Sequence, residues 1–283
     1  MGAYHRPVEL SEALALLAAG SLTIAAGCTD LFPATQAKSL PGDILDITGV
    51  PALQGVSHGP NGWRIGAAAT WTDLLRADLS PGFDGLRQAA REIGSVQIQN
   101  AGTLAGNLCT ASPAGDGMPC LLTLDASVEL QSVGEIRVLP LQEFLVGPRQ
   151  TALRPDECLT AILIPEAAGR GVGRFEKLGA RKYLVISIAM VAVWVEIENG
   201  WVRRAAIAVG ACGPVATRLP ELEAALAGLP LAECACTVMR DLVASRLAPI
   251  DDIRADRAYR IDAATELVRR SFAELTATGR AAA

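Results

Sequence analysis

Two long apolar runs, at 187–198 and 201–209, are separated only by Asn199-Gly200, and no other feature constrains the fold of this chain more. Both runs carry many β-branched residues, and Asn-Gly accepts the positive φ that a two-residue type I′ turn requires. The pattern predicts a β-hairpin. Helices are expected after it near 217–227, 233–247 and 256–278, which makes the C-terminal third a small α+β unit, a hairpin-based sheet covered by helices. The longest apolar stretch, 184–195, contains Ser187 and is too short for the ~20 residues that cross a bilayer. It reads as a buried strand.

Upstream, Leu10, Ala13, Leu14 and Leu17 recur at helical spacing and are closed by Gly20. Strands are expected at 21–26, 44–47, 63–68, 127–131 and 158–164. Helical pieces are expected up to about Lys38, at 85–93 and near 119–124. The stretch 94–107 shows little regular pattern. Residues 165–173, rich in Gly and Ala, mark the expected boundary between two domains at 1–168 and 169–283.

Composition narrows the function. With 51% apolar and 19% charged residues the chain buries a core and is not generally disordered. Its net charge of −5 offers no basic patch for nucleic acid. The start, through Arg6 and Pro7, has no apolar export region, so a cytoplasmic protein with no membrane partner is expected. Seven scattered cysteines match neither a disulfide scaffold nor zinc or iron–sulfur spacing, and they read as small buried hydrophobes. Only His5 and His58 are available for histidine chemistry. No metal site is expected, and redox work by this chain needs an organic cofactor.

Two glycine-bearing segments stand out, Ala26-Gly27-Cys28-Thr29-Asp30 and Gly102-Thr103-Leu104-Ala105-Gly106-Asn107. Glycine permits positive φ and close approach of a ligand. Successive backbone N–H groups can then converge on an anion, with Thr hydroxyls and the Asn amide as further donors. Two such segments can clasp the two phosphates of a dinucleotide, or each can be an ordinary tight turn. Neither matches the Rossmann or P-loop pattern.

The string Ile-Gly-Ser-Val-Gln-Ile-Gln-Asn-Ala-Gly-Thr-Leu-Ala-Gly-Asn-Leu-Cys-Thr-Ala-Ser-Pro-Ala-Gly-Asp at 93–116 resembles the flavoprotein (medium) subunits of molybdenum hydroxylases. That family includes the FAD components of xanthine and carbon monoxide dehydrogenases. The resemblance extends to residues 26–31, to Phe175-Glu176-Lys177-Leu178-Gly179-Ala180-Arg181-Lys182 and to Asp251-Asp252-Ile253-Arg254-Ala255-Asp256-Arg257-Ala258-Tyr259-Arg260. It implies an α+β fold: a two-lobed FAD-binding domain of the vanillyl-alcohol oxidase/cresol methylhydroxylase type, with lobes at about 1–56 and 57–168. A C-terminal antiparallel sheet with helices, like that of the CO dehydrogenase flavoprotein, follows. It also implies a complex with a molybdopterin-containing large subunit and a small subunit carrying two [2Fe-2S] clusters. Electrons then pass through FAD to NAD+ or another acceptor.

Carried onto this sequence, the resemblance places Ile24, Ala25, Ala26, Gly27, Cys28, Thr29, Asp30 and Leu31 in a first pyrophosphate loop. Thr103, Leu104, Ala105, Gly106 and Asn107 make a second. Asp116 accepts hydrogen bonds from FAD hydroxyls, caps a helix, or both. Leu159 meets the adenine half through its backbone or is a plain core strand residue. Lys177 lies near the isoalloxazine, where a cation stabilises the reduced ring, or is a solvated strand lysine. Residues 180–184 align with a loop that gates the ring, and Tyr183 is a candidate to stack there. Three positions depart from the family pattern: Cys28 and Ala105 stand where glycine is common, and Ile93 where some relatives have an aromatic. Two rivals follow from these features, a self-standing flavin oxidoreductase and a scaffold subunit that has lost FAD.

Overall fold

The structure is a computed structural model that describes residues 2–278. A small parallel sheet comes first, with Asp43–Asp46 between Tyr4–His5 and Leu22–Ala25. The helix Leu10–Ala19 makes the crossover and buries Ala13, Leu14 and Leu17, the stripe its spacing predicts. A five-stranded antiparallel sheet follows in the order Val56–Gly59, Gly62–Gly66, Cys158–Ile164, Ser127–Gln131 and Ile136–Pro140. Between its strands the chain runs out into short helices, Trp71–Arg76, Asp84–Glu92, Val96–Ala101, Leu104–Thr110 and Gly117–Thr123. No described helix is long and apolar enough to cross a membrane.

The predicted hairpin is present as Ala189–Glu198 and Trp201–Gly210, in an antiparallel sheet with Val172–Leu178 and Thr217–Arg218. Its turn has φ of +53° at Asn199 and +82° at Gly200, as a type I′ turn requires. Away from its turn, where Glu196, Glu198, Arg203 and Arg204 lie, the hairpin is apolar because both faces are covered. Met190, Ala192 and Trp194, with Ala206 and Ala208, join the core of the preceding sheets. The intervening Val191, Val193 and Val195, with Ile207 and Val209, pack under the C-terminal helices. The longest of these, Arg257–Ala277, is capped by Asp256, whose carboxylate accepts from Tyr259 N at 2.8 Å.

Four sequence expectations need correction. The apolar run at 184–195 is strand only from Ala189, and its first residues form a loop that leaves Leu184 and Ile186 exposed. No helix forms up to Lys38. Phe32 N and Ala34 N donate back four residues, but Pro33 has no N–H to continue the ladder and Phe32 stays exposed. The helix expected at 233–247 is two, Leu231–Thr237 and Arg240–Ala244. Between them Val238 is extended, and its carbonyl accepts from Arg269 Nε and Nη2 at 3.1 and 2.9 Å instead of from the next turn. The featureless stretch 94–107 holds the helix Val96–Ala101 and the start of Leu104–Thr110, both too short to show an apolar period.

The segment 165–173 is a packed turn rather than a loose connector. Ala168 is buried and its carbonyl accepts from Trp194 Nε1 at 2.9 Å, while a Cβ on Gly171 would lie 2.3 Å from the same indole.

Candidate functional site

A cleft of about 660 Å³ opens beside the carboxyl ends of the parallel strands, within the size range of small-molecule sites. Ala26–Leu31 leaves one of these strands and Ile47 another, and both line the cleft. Ends of parallel strands are where ligands settle in such sheets.

The first glycine segment is an irregular turn. Cys28 has φ of +56°, so the backbone reverses hand there, and the amides of Cys28, Thr29 and Asp30 donate to no other backbone group among the described residues. Such a turn presents N–H groups together as an anion nest. Asp30, at its edge, pairs with Arg149 at 3.2 Å, which offsets a carboxylate that would repel phosphate.

The second segment is not a loop but the first turn of the helix Leu104–Thr110. Thr103 is its N-cap, and its hydroxyl accepts from Gly106 N at 3.0 Å. Ala105, where glycine is common, is helical and its φ is not positive, so its Cβ brings no left-handed strain. Trp71 braces this turn from beneath: it is fully buried and its backbone N donates to Gly102 O at 3.1 Å. The capping box Thr70-Trp71-Thr72-Asp73 that starts its helix was readable in the sequence as a Thr-x-x-Asp signature.

The two turns touch. A Cβ on Gly27 would lie 2.0 Å from Ala101 O, and one on Gly102 would lie 3.1 Å from Thr29 Oγ1. Gly27 is therefore required by the approach of one backbone to the other, while the ligand-facing amides belong to the residues after it.

Of the predicted site residues, all but Ala25 and Leu104 line this one cleft. Those two side chains are buried in the core. Leu159 is both a core strand residue and a wall of the cleft, beside a register irregularity that ends at Ala161. Ile93 lines the cleft as an aliphatic wall. Tyr183 is exposed and not among the lining residues, whereas its neighbours Leu184 and Ile186 are. Neither histidine lines the cleft.

Asp116 and Lys177 follow neither of their plainer alternatives. Asp116 makes no capping hydrogen bond to its helix, and Lys177 is not solvated. Lys177 Nζ donates to Asp116 Oδ2 at 2.6 Å and Ser187 Oγ to Asp116 Oδ1 at 2.8 Å. Burial pushes the Asp116 carboxyl above its ordinary value, and Lys177 and Ser187 pull it back toward the charged form. Among the described residues Lys177 is the one cation lining the cleft.

Sequence reasoning missed Cys109 and Cys158, which line the cleft. Lost hydration pushes the buried Cys158 thiol up to about 12, so it stays protonated and acts as a wall rather than a nucleophile, whereas Cys109 is exposed and departs from the expectation of a buried hydrophobe. Cys109 lies within the 93–116 string that carries the resemblance, whereas no sequence signal marked Cys158.

A dinucleotide suits these residues. The free amides of 28–30 and the helix start at Thr103 are donors of the kind phosphates require, and Ile24, Ile47, Ile93 and Leu159 give the cleft an aliphatic wall. Asn107 Oδ1, a buried acceptor on the cleft wall, has no hydrogen-bond partner among the described residues. Such an atom calls for a donor, and the ribose or ribityl hydroxyls of FAD supply one.

This cleft between a parallel and an antiparallel sheet defines a dinucleotide-binding flavoprotein, and comparison with known proteins gives its family. Residues 1–167 match the FAD binding domain in molybdopterin dehydrogenase, and residues 175–275 match the CO dehydrogenase flavoprotein C-terminal domain. The nicotinate dehydrogenase FAD-subunit of Eubacterium barkeri is 34% identical over 74% of this chain and 72% of its own. The nicotine 6-hydroxylase medium subunit of Paenarthrobacter nicotinovorans is 30% identical over 96% of each chain. A chain in the structure of Hydrogenophaga pseudoflava carbon monoxide dehydrogenase superposes with a TM-score of 0.87 at 27% identity, covering 95% of both chains. The protein belongs to the FAD-binding medium subunits of the molybdenum hydroxylases, the xanthine and carbon monoxide dehydrogenase family.

Proposed function

We propose that this chain is the electron-transfer station of a cytoplasmic molybdenum hydroxylase heterotrimer. It takes electrons from two [2Fe-2S] clusters on a small partner subunit and passes them to NAD+ or another acceptor. A large molybdopterin subunit carries out the hydroxylation, so no acid or base of this chain need touch the organic substrate. In this reading residues 1–168 form the FAD unit, with lobes at 1–56 and 57–168, and 169–283 the C-terminal unit.

The observation that carries the proposal is the meeting of the two backbone turns on one cleft. The amides of Cys28, Thr29 and Asp30 and the Thr103–Asn107 helix start hold the pyrophosphate from two sides. Asn107 Oδ1 accepts from a cofactor hydroxyl, and Ile24, Ile93 and Leu159 exclude water from the rings. Lys177 supplies a positive charge. FAD, once bound, provides a centre that exchanges electrons singly or in pairs. Aliphatic walls, with the two histidines elsewhere, favour a non-covalent cofactor.

The test is flavin content of the full chain after gentle purification, read by absorbance and by chromatography of the released cofactor. One FAD per chain, freed by denaturation, is the expected result. Protein that is colourless and takes up no added FAD overturns the reading. Recovery of a large molybdopterin chain and a small cysteine-rich chain with the tagged protein tests the partner assignment.

A further inference from the structure

We infer that Asp116 and Ser187 are positioning residues that set how much of the Lys177 charge reaches the flavin. This inference rests on the FAD reading above. Asp116 precedes the helix Gly117–Thr123, in the first family match, whereas Lys177 and Ser187 lie in the second. The three meet in a nearly closed pocket: the side chains of Lys177 and Asp116 are 9% and 7% exposed, and Ser187 is 2% exposed.

The geometry gives each residue a distinct part. Lys177 and Asp116 both line the cleft, while Ser187 does not. Ser187 holds Oδ1 of the carboxylate, which turns Oδ2 toward the ammonium. Ser187 is itself held by the residue after it. Ile188 N donates to Leu178 O at 2.7 Å, and Ile188 O accepts from Arg260 Nη1 at 2.6 Å. Arg260 is anchored in turn on Ala211 O at 3.0 Å and on Asp252 Oδ1 at 2.7 Å. The Asp251–Arg260 string noted in the sequence thus acts on the cleft through Ile188 and Ser187, although neither its Asp252 nor its Arg260 lines it.

A charge screened by so little water acts strongly on its neighbours, and removing one partner of a buried pair leaves the other uncompensated. Unopposed, the Lys177 ammonium stabilises the electron-rich reduced ring and raises the flavin midpoint potential. Asp116 withdraws part of that charge. Ser187 keeps Asp116 aligned and ionised.

The experiment is the midpoint potential of FAD bound to the full chain, by dye-coupled reduction, with flavin content measured alongside. Asp116→Asn is expected to shift the reduction equilibrium toward reduced flavin by roughly tenfold, about 30 mV for a two-electron couple. Lys177→Met is expected to shift it the opposite way. Ser187→Ala moves it in the Asp116→Asn direction by less, and Ser187→Thr restores it. In a Lys177→Met background the buried Asp116 carboxyl, left without its cation, takes up a proton, so Asp116→Asn is expected to have no further effect.

A full Asp116→Asn shift that persists without Lys177 overturns the inference, because Asp116 then acts directly. So does an unchanged potential in yellow variant protein. Should Asp116→Asn not fold, the opposed shifts of Ser187→Ala and Lys177→Met carry the same contrast, and their absence refutes it. Wild-type protein that takes up no FAD refutes the proposed function instead.

Discussion

The two turns that meet at the cleft present their backbone amides by different means. At 26–31 an irregular turn follows a parallel strand, and its hand is reversed by Cys28 at φ of +56°. At 103–107 the amides belong to the first turn of a capped helix, where Ala105 is helical and 4% exposed. Both carry a Cβ where the family often has glycine, yet the substitutions are not equivalent. One puts a side chain on a left-handed residue, and the other adds a methyl to a helix. A departure from a motif has a physical meaning only once the local φ is known.

The sharpest way to break this comparison is to force the turns apart. Gly27→Ala places a methyl 2.0 Å from Ala101 O, and a backbone carbonyl cannot rotate away. A loss of about 3 kcal/mol is expected, at the upper end for overpacking, together with most of the bound FAD. Urea denaturation and flavin content measure the two effects. Unaltered stability would mean that the turns do not need each other.

Thr103→Ala acts on the helix alone, by removing the oxygen that accepts from Gly106 N. Loss of such a cap costs about 1 kcal/mol. FAD is then expected to dissociate faster while the first turn stays intact. A variant that retains FAD as tightly as wild type would show that the helix start contributes little to pyrophosphate binding.

Much of this was legible from residues alone. Asn199-Gly200 located the hairpin because positive φ at two successive positions is a demand few sequences meet. The strands at 127–131 and 158–164 were read at the bounds observed, since apolar runs between turn residues are short-range signals. Most of the predicted site residues share one cleft: the two glycine-bearing segments stood out on their own, but only family likeness joined them and added the rest, because no spacing rule links residue 28 to residue 103. The Asp116–Lys177–Ser187 cluster was out of reach as well. It joins positions 61 and 71 residues apart, and nothing local in Ser187 sets it apart from a strand residue. The helix break at Val238 failed to show for the same reason, because its cause is an arginine 31 residues away.

The smallest effects sharpen the comparison most, because their signs oppose. Cys28→Gly removes a Cβ from a left-handed residue, a conformation that costs about 1–2 kcal/mol for other residues. Part of that gain is offset by the extra freedom glycine has in the unfolded chain, and by a weak contact from Sγ to Ala26 O at 3.4 Å. A net gain of about 0.5 kcal/mol is expected. Ala105→Gly, the same change in composition, is expected to lose about 1 kcal/mol, because it adds backbone freedom inside a helix and removes a buried methyl. Paired urea titrations of the two variants, with and without FAD, read both signs. Destabilisation by both would show that Cys28 contributes more through its side chain than its backbone strain removes. Stabilisation by both would mean that Ala105, too, crowds the cleft, and the distinction between the two turns would fail.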